Sequence, residues 1–166
     1  MTEGVVFDWT RSLLALTDGG VRYVLIGGVA ARVLGSPSLT SDLDICYARD
    51  KANLEALAAV LVGVHARLRG VKEKASFRLD ARTLAAGDSF TFETDLGDLD
   101  ILGTPSGTTG YDDLVRDAEE IQVDGRKVLV ASVDDLIRMK LAAGRPKDRV
   151  EVEILGALRE ELAAYG

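Results

Sequence analysis

The chain has 166 residues, 47% hydrophobic and 28% charged, which fits one globular domain with a core of its own and excludes a wholly disordered chain. Its 27 acidic residues against 20 basic ones leave a net charge of −7, so nucleic acid could be held only by a local basic patch, not by bulk charge. A single cysteine, Cys46, and a single histidine, His65, exclude an internal disulfide framework and multi-cysteine or multi-histidine metal sites, leaving the chemistry to carboxylates.

No run of ~18 apolar residues is present, so no membrane span is expected. The opening MTEGVVFDWTRS lacks the basic and apolar regions of a signal peptide, and a cytoplasmic protein is expected. Apolar residues at helical spacing (Val6, Trp9, Leu13, Leu14, Leu16) predict a helix over 6–17, ended by Asp18-Gly19-Gly20. Arg22 to Ile26 reads as a buried strand stopping at Gly27-Gly28. Val29 to Leu34 reads as a short helix closed by Gly35, followed by a loop over Ser36–Thr40. Ser41 to Tyr47 alternates strictly, with Leu43, Ile45 and Tyr47 on one face and Asp42, Asp44 and Cys46 on the other. Leu54, Leu57, Ala58, Leu61 and Val62 form a helical stripe that predicts an amphipathic helix from Asp50 to Leu68.

Beyond it a short helix is expected over Asp80–Ala86. Ser89–Thr94 and Asp98–Leu102 should form a hairpin around Asp95-Leu96-Gly97. A helix over Tyr111–Arg116 follows, then a second hairpin, Ala118–Val123 and Lys127–Val130, around Asp124-Gly125. Ser132 opens a helix with Asp135 three residues on, as in a capping box. Gly144-Arg145-Pro146 breaks it, and a last helix runs from Pro146 to about Ala163. With no repeat and no linker, the expectation is a single α/β domain over 1–166, a mixed sheet flanked by helices, with C-terminal helices from about 132.

Four features carry chemistry. Asp42 and Asp44, at i and i+2 on a strand, share a face; like charges so close raise each other's pKa unless a cation lies between them, and Mg²⁺ with substrate phosphates suits that arrangement. A lone Asp-Leu-Asp is more often the solvated face of an edge strand. Gly27-Gly28, between strand and helix, allows a tight turn and close approach of backbone N–H groups to phosphate, but lacks the full G-x-G-x-x-G or the Lys-Ser/Thr of a P-loop. A second Asp-Leu-Asp-Ile, from Asp98, would add a third carboxylate if its strand neighbours the first. Lys140 takes the i+7 slot of the stripe Val133, Leu136, Ile137, Lys140, Leu141. It either snorkels to water or faces an anionic site. His65 reads as a favourable cation at a helix C-terminus beside Arg67, and Cys46 as a small buried residue.

Together these residues resemble the DNA-polymerase-β-like nucleotidyltransferase superfamily: Ile26-Gly27-Gly28, the spacer 29–41, Asp42-Leu43-Asp44, and then Asp100. The resemblance implies two Mg²⁺ ions held by Asp42, Asp44 and Asp100 against the phosphates of an NTP, with Asp100 also helping to activate the acceptor hydroxyl. Asp100 is preferred to Asp98 because Gly97–Leu102 looks like the family's G-x-h-D-h-h segment. Lys140 to Asp148, and Thr40 before Asp42, are similar to AbiEii-type toxins and related bacterial nucleotidyltransferases. That likeness implies that Gly27, Gly28, Thr40, Lys140 and Asp148 lie at the nucleotide. It covers roughly residues 20 to 160.

The leading expectation is an Mg²⁺-dependent enzyme moving a nucleoside monophosphate from an NTP to an acceptor hydroxyl, on RNA or protein, as the toxin of a toxin–antitoxin pair. The alternatives are an inactive nucleotide-binding or assembly module and an aminoglycoside-type enzyme acting on a cationic small molecule. An acceptor groove lined by Arg32, Arg49, Arg145, Lys147 and Arg149 would favour RNA; one lined by carboxylates would favour the small molecule.

Overall fold

The computed structural model describes residues 7–71 and 77–165. Seven strands form one mixed sheet: β1 (Tyr23–Ile26), β2 (Asp42–Tyr47), β3 (Arg67–Leu68), β4 (Ser89–Thr94), β5 (Gly97–Leu102), β6 (Glu119–Val123) and β7 (Arg126–Val130). Their spatial order is β3-β4-β5-β2-β1-β7-β6. β2 runs antiparallel to β1 and parallel to β5, and β1 runs parallel to β7. β4–β5 and β6–β7 are antiparallel hairpins, as their Asp-Leu-Gly and Asp-Gly turns predict, and β3 adds antiparallel to β4 at the edge.

The helices are α1 (Trp9–Asp18), α2 (Gly27–Val33), α3 (Lys51–Gly63), α4 (Ala81–Ala86), α5 (Tyr111–Val115), α6 (Val133–Ala143) and α7 (Pro146–Tyr165). Side chains start four of them: Asp8, Asp50, Asp80 and Ser132 each accept the backbone N–H three residues on. The Ser132 cap is one-sided, since Asp135 turns its carboxylate to Arg138 instead of closing a capping box. α1 packs on β2, β7 and α3, α2 on β1, β2 and α6, and α6 on α7. Leu43 and Ile45 on one face of β2, and Cys46 on the other, have no exposed surface, so the sheet is covered on both sides as an α/β layer fold requires. No helix among the described residues is long and apolar enough to cross a membrane.

Three expectations need correction. The helix after Asp50 ends at Gly63, not near Leu68. His65 takes a left-handed φ of 55°, pairs with Asp95, and lets Arg67–Leu68 join the sheet as β3. Val62 (56% exposed) and Leu141 (63% exposed) lie outside the buried stripes assigned to them, since one extra residue at a helix end rotates it 100° away from the core. The first helix begins at Trp9; Val6 is outside the described residues.

Candidate active site

The parallel pairing of β2 with β5 brings the two Asp-Leu-Asp segments side by side: Asp42 stands opposite Asp98, and Asp44 opposite Asp100. Residues at i and i+2 share a face, so four carboxylates from two distant stretches of chain meet on one face of neighbouring strands. Across the other edge of β2, Asp44 pairs with Ile26, the residue before Gly27. Beyond β5, Thr91 stands opposite Asp100.

Gly27 sits at φ 71°, and a Cβ there would lie 2.1 Å from Asp44 Oδ2. Only glycine brings the chain over the carboxylate without collision. A Cβ on Gly28 would meet Thr40 Oγ1 at 2.7 Å. Thr40 in turn donates to Asp42 O at 3.1 Å and accepts from Asp42 N at 3.4 Å, fixing the start of β2.

Burial pushes the Asp44 carboxyl up to about 8; the charge of Asp100, a hydrogen bond shared with it and the charge of Asp42 add to this, and Lys140 opposes it. At neutral pH the group therefore keeps its proton unless positive charge arrives. Hard carboxylate oxygens short of a counter-charge suit Mg²⁺, which takes one or two carboxylates and completes its shell with water and phosphate oxygens. The pair Asp42 and Asp44 fits that donor set. Asp100 does not close a three-residue cluster as it stands: among the described residues no three acidic, histidine or cysteine side chains are arranged to hold a metal ion.

A cavity of about 540 Å³ opens over these carboxylates. Gly27, Gly28, Thr40, Asp42, Asp44, Asp100 and Lys140 all line it. Lys140, 28% exposed, points its Nζ to within 3.4 Å of Asp148 Oδ1. Asp148, 1% exposed, is held by three donors of one residue: Arg145 N at 3.1 Å, Nε at 2.7 Å and Nη2 at 3.2 Å. Those bonds, with Lys140 beside them, hold its carboxyl down at about 2. Of the expected site residues, Asp148 alone does not line the cavity; it stands behind Lys140 and Arg145, which do. Of the cations named for an acceptor groove, Arg145 and Lys147 line it and Arg32, Arg49 and Arg149 do not. Arg49 binds the carbonyls of Ala85 and Gly87 and the Tyr47 hydroxyl instead. Cys46 is buried outside the cavity, 3.6 Å from Gly103 O, its thiol pushed up to about 12 by burial and by Asp88 and Asp113.

Sequence reasoning missed two contributors. Glu151 of α7 accepts from Ser38 Oγ at 3.2 Å, tying the loop before β2 to the last helix at the cavity rim. Arg69 reaches Asp100 from beyond β3 at 2.8 Å. Neither pair has local spacing; the Arg145–Asp148 pair, at i and i+3 where α7 starts, was readable.

No protein-family model matches the chain, and no curated protein matches it. Among solved structures it is similar to the lincosamide antibiotic adenylyltransferase LnuA with lincomycin bound (16% identity, TM-score 0.61, covering 93% of this chain and 99% of that one). It is also similar to TM1012 of Thermotoga maritima, a candidate nucleotidyltransferase (18% identity, TM-score 0.55, 94% of this chain and 93% of that one). A third is an antigenic nucleotidyltransferase-like protein from Paracoccidioides brasiliensis (14% identity, TM-score 0.52, 90% of this chain and 72% of that one). The β2–β5 carboxylate pairing thus stands on a sheet whose architecture is the nucleotidyltransferase fold.

Proposed function

We propose that the protein is an Mg²⁺-dependent nucleotidyltransferase. The observation that carries this reading is the register of β2 against β5, which sets Asp44 beside Asp100 and Asp42 beside Asp98, with Asp42, Asp44 and Asp100 lining an open cavity. Mg²⁺ bound by Asp42 and Asp44 would supply the positive charge that offsets an NTP triphosphate. Gly27 and Gly28 leave the room that side chains would fill, and Lys140 with Arg145, anchored by Asp148, face the same cavity as phosphate-binding cations. The acceptor hydroxyl oxygen bonds to the α-phosphorus as the bond to the β-phosphate oxygen breaks. Pyrophosphate leaves, and the hydroxyl proton passes to the Asp100 carboxylate.

The acceptor this geometry favours is a hydroxyl-bearing small molecule. The cavity wall beside Asp100 carries Ser89, Thr91, Pro105 and Ser106, neutral groups that do not track a phosphate backbone. Its basic side chains, Lys140, Arg145 and Lys147, lie on α6, α7 and the turn between them, with Asp148 occupied by the first two. The similar lincosamide adenylyltransferase holds lincomycin, so the fold accommodates such an acceptor. An RNA-modifying toxin of AbiEii type would need more free cations at the rim.

The test incubates the protein with Mg²⁺ and each α-labelled NTP, against total RNA in one arm and a panel of hydroxylated and cationic small molecules in the other. Label on a small molecule, abolished by Asp44→Asn, is the expected result. Label on RNA would move the acceptor to the toxin reading. Tight NTP binding without pyrophosphate release would make the protein an inactive nucleotide-binding module.

A further inference from the structure

Arg69 follows β3 and continues its pairing, its N–H donating to Thr91 O at 3.0 Å. The side chain runs back over β4, and Nη2 donates both to Asp100 Oδ1 at 2.8 Å and to Phe92 O at 3.0 Å. Nε lies 3.4 Å from Asp98 Oδ2, buried and without a hydrogen bond of its own. One guanidinium therefore sits between the two aspartates of β5. Among the described residues no other cation comes within ion-pair distance of Asp42, Asp44, Asp98 or Asp100; Lys140 is paired with Asp148.

Four carboxylates on one face repel strongly unless charge is supplied. An arginine fork holds a carboxylate in a fixed plane, which a lysine does not. The Phe92 carbonyl anchors the guanidinium from one side and the Asp98 charge attracts it from the other, so what remains adjustable is the bond to Asp100.

We propose that Arg69 is a positioning residue for the third carboxylate: it occupies Asp100 while the site lacks a cation, fixes that carboxylate beside Asp44, and leans to Asp98 when Asp100 turns to its work. This rests on the nucleotidyltransferase reading for its purpose but not for its test. It also gives the second Asp-Leu-Asp a division of labour, with Asp100 at the site and Asp98 as the residue that holds the arginine.

The readout independent of turnover is Mn²⁺ binding to the nucleotide-free protein, followed by electron paramagnetic resonance. Arg69→Gln removes the competing cation, so Mn²⁺ should bind about fivefold tighter or more. The same variant should lose about tenfold or more in kcat with little change in KM for NTP, because the carboxylate is no longer held in place. Affinity and turnover moving in opposite directions is what a purely structural ion pair does not produce. Asp98→Asn leaves Asp100 as the only carboxylate partner of Arg69, so it should weaken Mn²⁺ binding, opposite to Arg69→Gln, and lower kcat. Arg69→Lys keeps the charge but not the fork: its Mn²⁺ affinity should stay near wild type while kcat falls. It also decides the matter if Arg69→Gln does not fold. Unchanged Mn²⁺ affinity in Arg69→Gln, or no binding in either protein, overturns the proposal. If the wild type transfers no nucleotide, the functional reading falls and the Mn²⁺ comparison still decides the role of Arg69.

Discussion

Ionising Asp44 in the cation-free protein costs free energy, because burial, Asp100 and Asp42 all favour its protonated form. The folded protein keeps a proton that the unfolded chain has released, from the ordinary carboxylate range near pH 4 up to about 8. Stability should therefore fall as pH rises through that window. Asp44→Asn mimics the protonated group and removes the dependence. Its melting temperature should exceed that of wild type at pH 8, with the gain shrinking toward pH 4; equal melting temperatures at pH 8 would contradict the burial argument. Asp148 behaves oppositely. Its carboxyl is held at about 2 by Arg145 and Lys140, so its contribution is complete above pH 4 and is lost as pH falls through 2. A shift of that size corresponds to about 2 kcal/mol. Urea unfolding of Asp148→Asn should show a loss of that order at pH 7 and a smaller difference from wild type at pH 2.

The strand-to-helix junction at Gly27 and the last helix answer the same substitution in opposite ways. Gly27→Ala forces a β-carbon into Asp44 at a left-handed φ, which costs about 1–2 kcal/mol in backbone strain alone. It should also remove nucleotide transfer by displacing the carboxylate. Gly156, inside α7, has nothing within 4 Å of where a Cβ would go. Gly156→Ala should add up to about 1 kcal/mol from helix propensity, read by thermal unfolding, with transfer unaffected. The elements around these glycines were readable because their signals are local: the alternation of 41–47, the turns at 95–97 and 124–125, the cap at Ser132. β3 was not. It has two residues, no glycine or proline marks its start, and the chain turns at His65 by a left-handed residue that composition does not flag. The carboxylates were legible as two like segments, but their meeting depends on a crossover that only the fold supplies. Arg69 was invisible for the same reason, since its partner Asp100 lies 31 positions away.

At the scale of the whole molecule, the sheet begins with β3 and ends with β6. An edge strand leaves a row of backbone N–H and C=O groups without partners, a template on which another chain can pair. Here one edge is only two residues long, too short to nucleate such pairing. The other carries Glu119, Glu120 and Gln122, all exposed, so a second copy brought alongside would meet like charge before it could form hydrogen bonds. Replacing Glu119 and Glu120 together by valine would give that edge the apolar, β-branched character of a pairing strand. Light scattering at elevated protein concentration should then rise well above wild type, while the melting temperature of the dilute protein stays close to it. The short β3 and the acidic β6 thus leave a second chain little to pair with at either edge, and the acidic excess of the composition has at least one place where it does specific work.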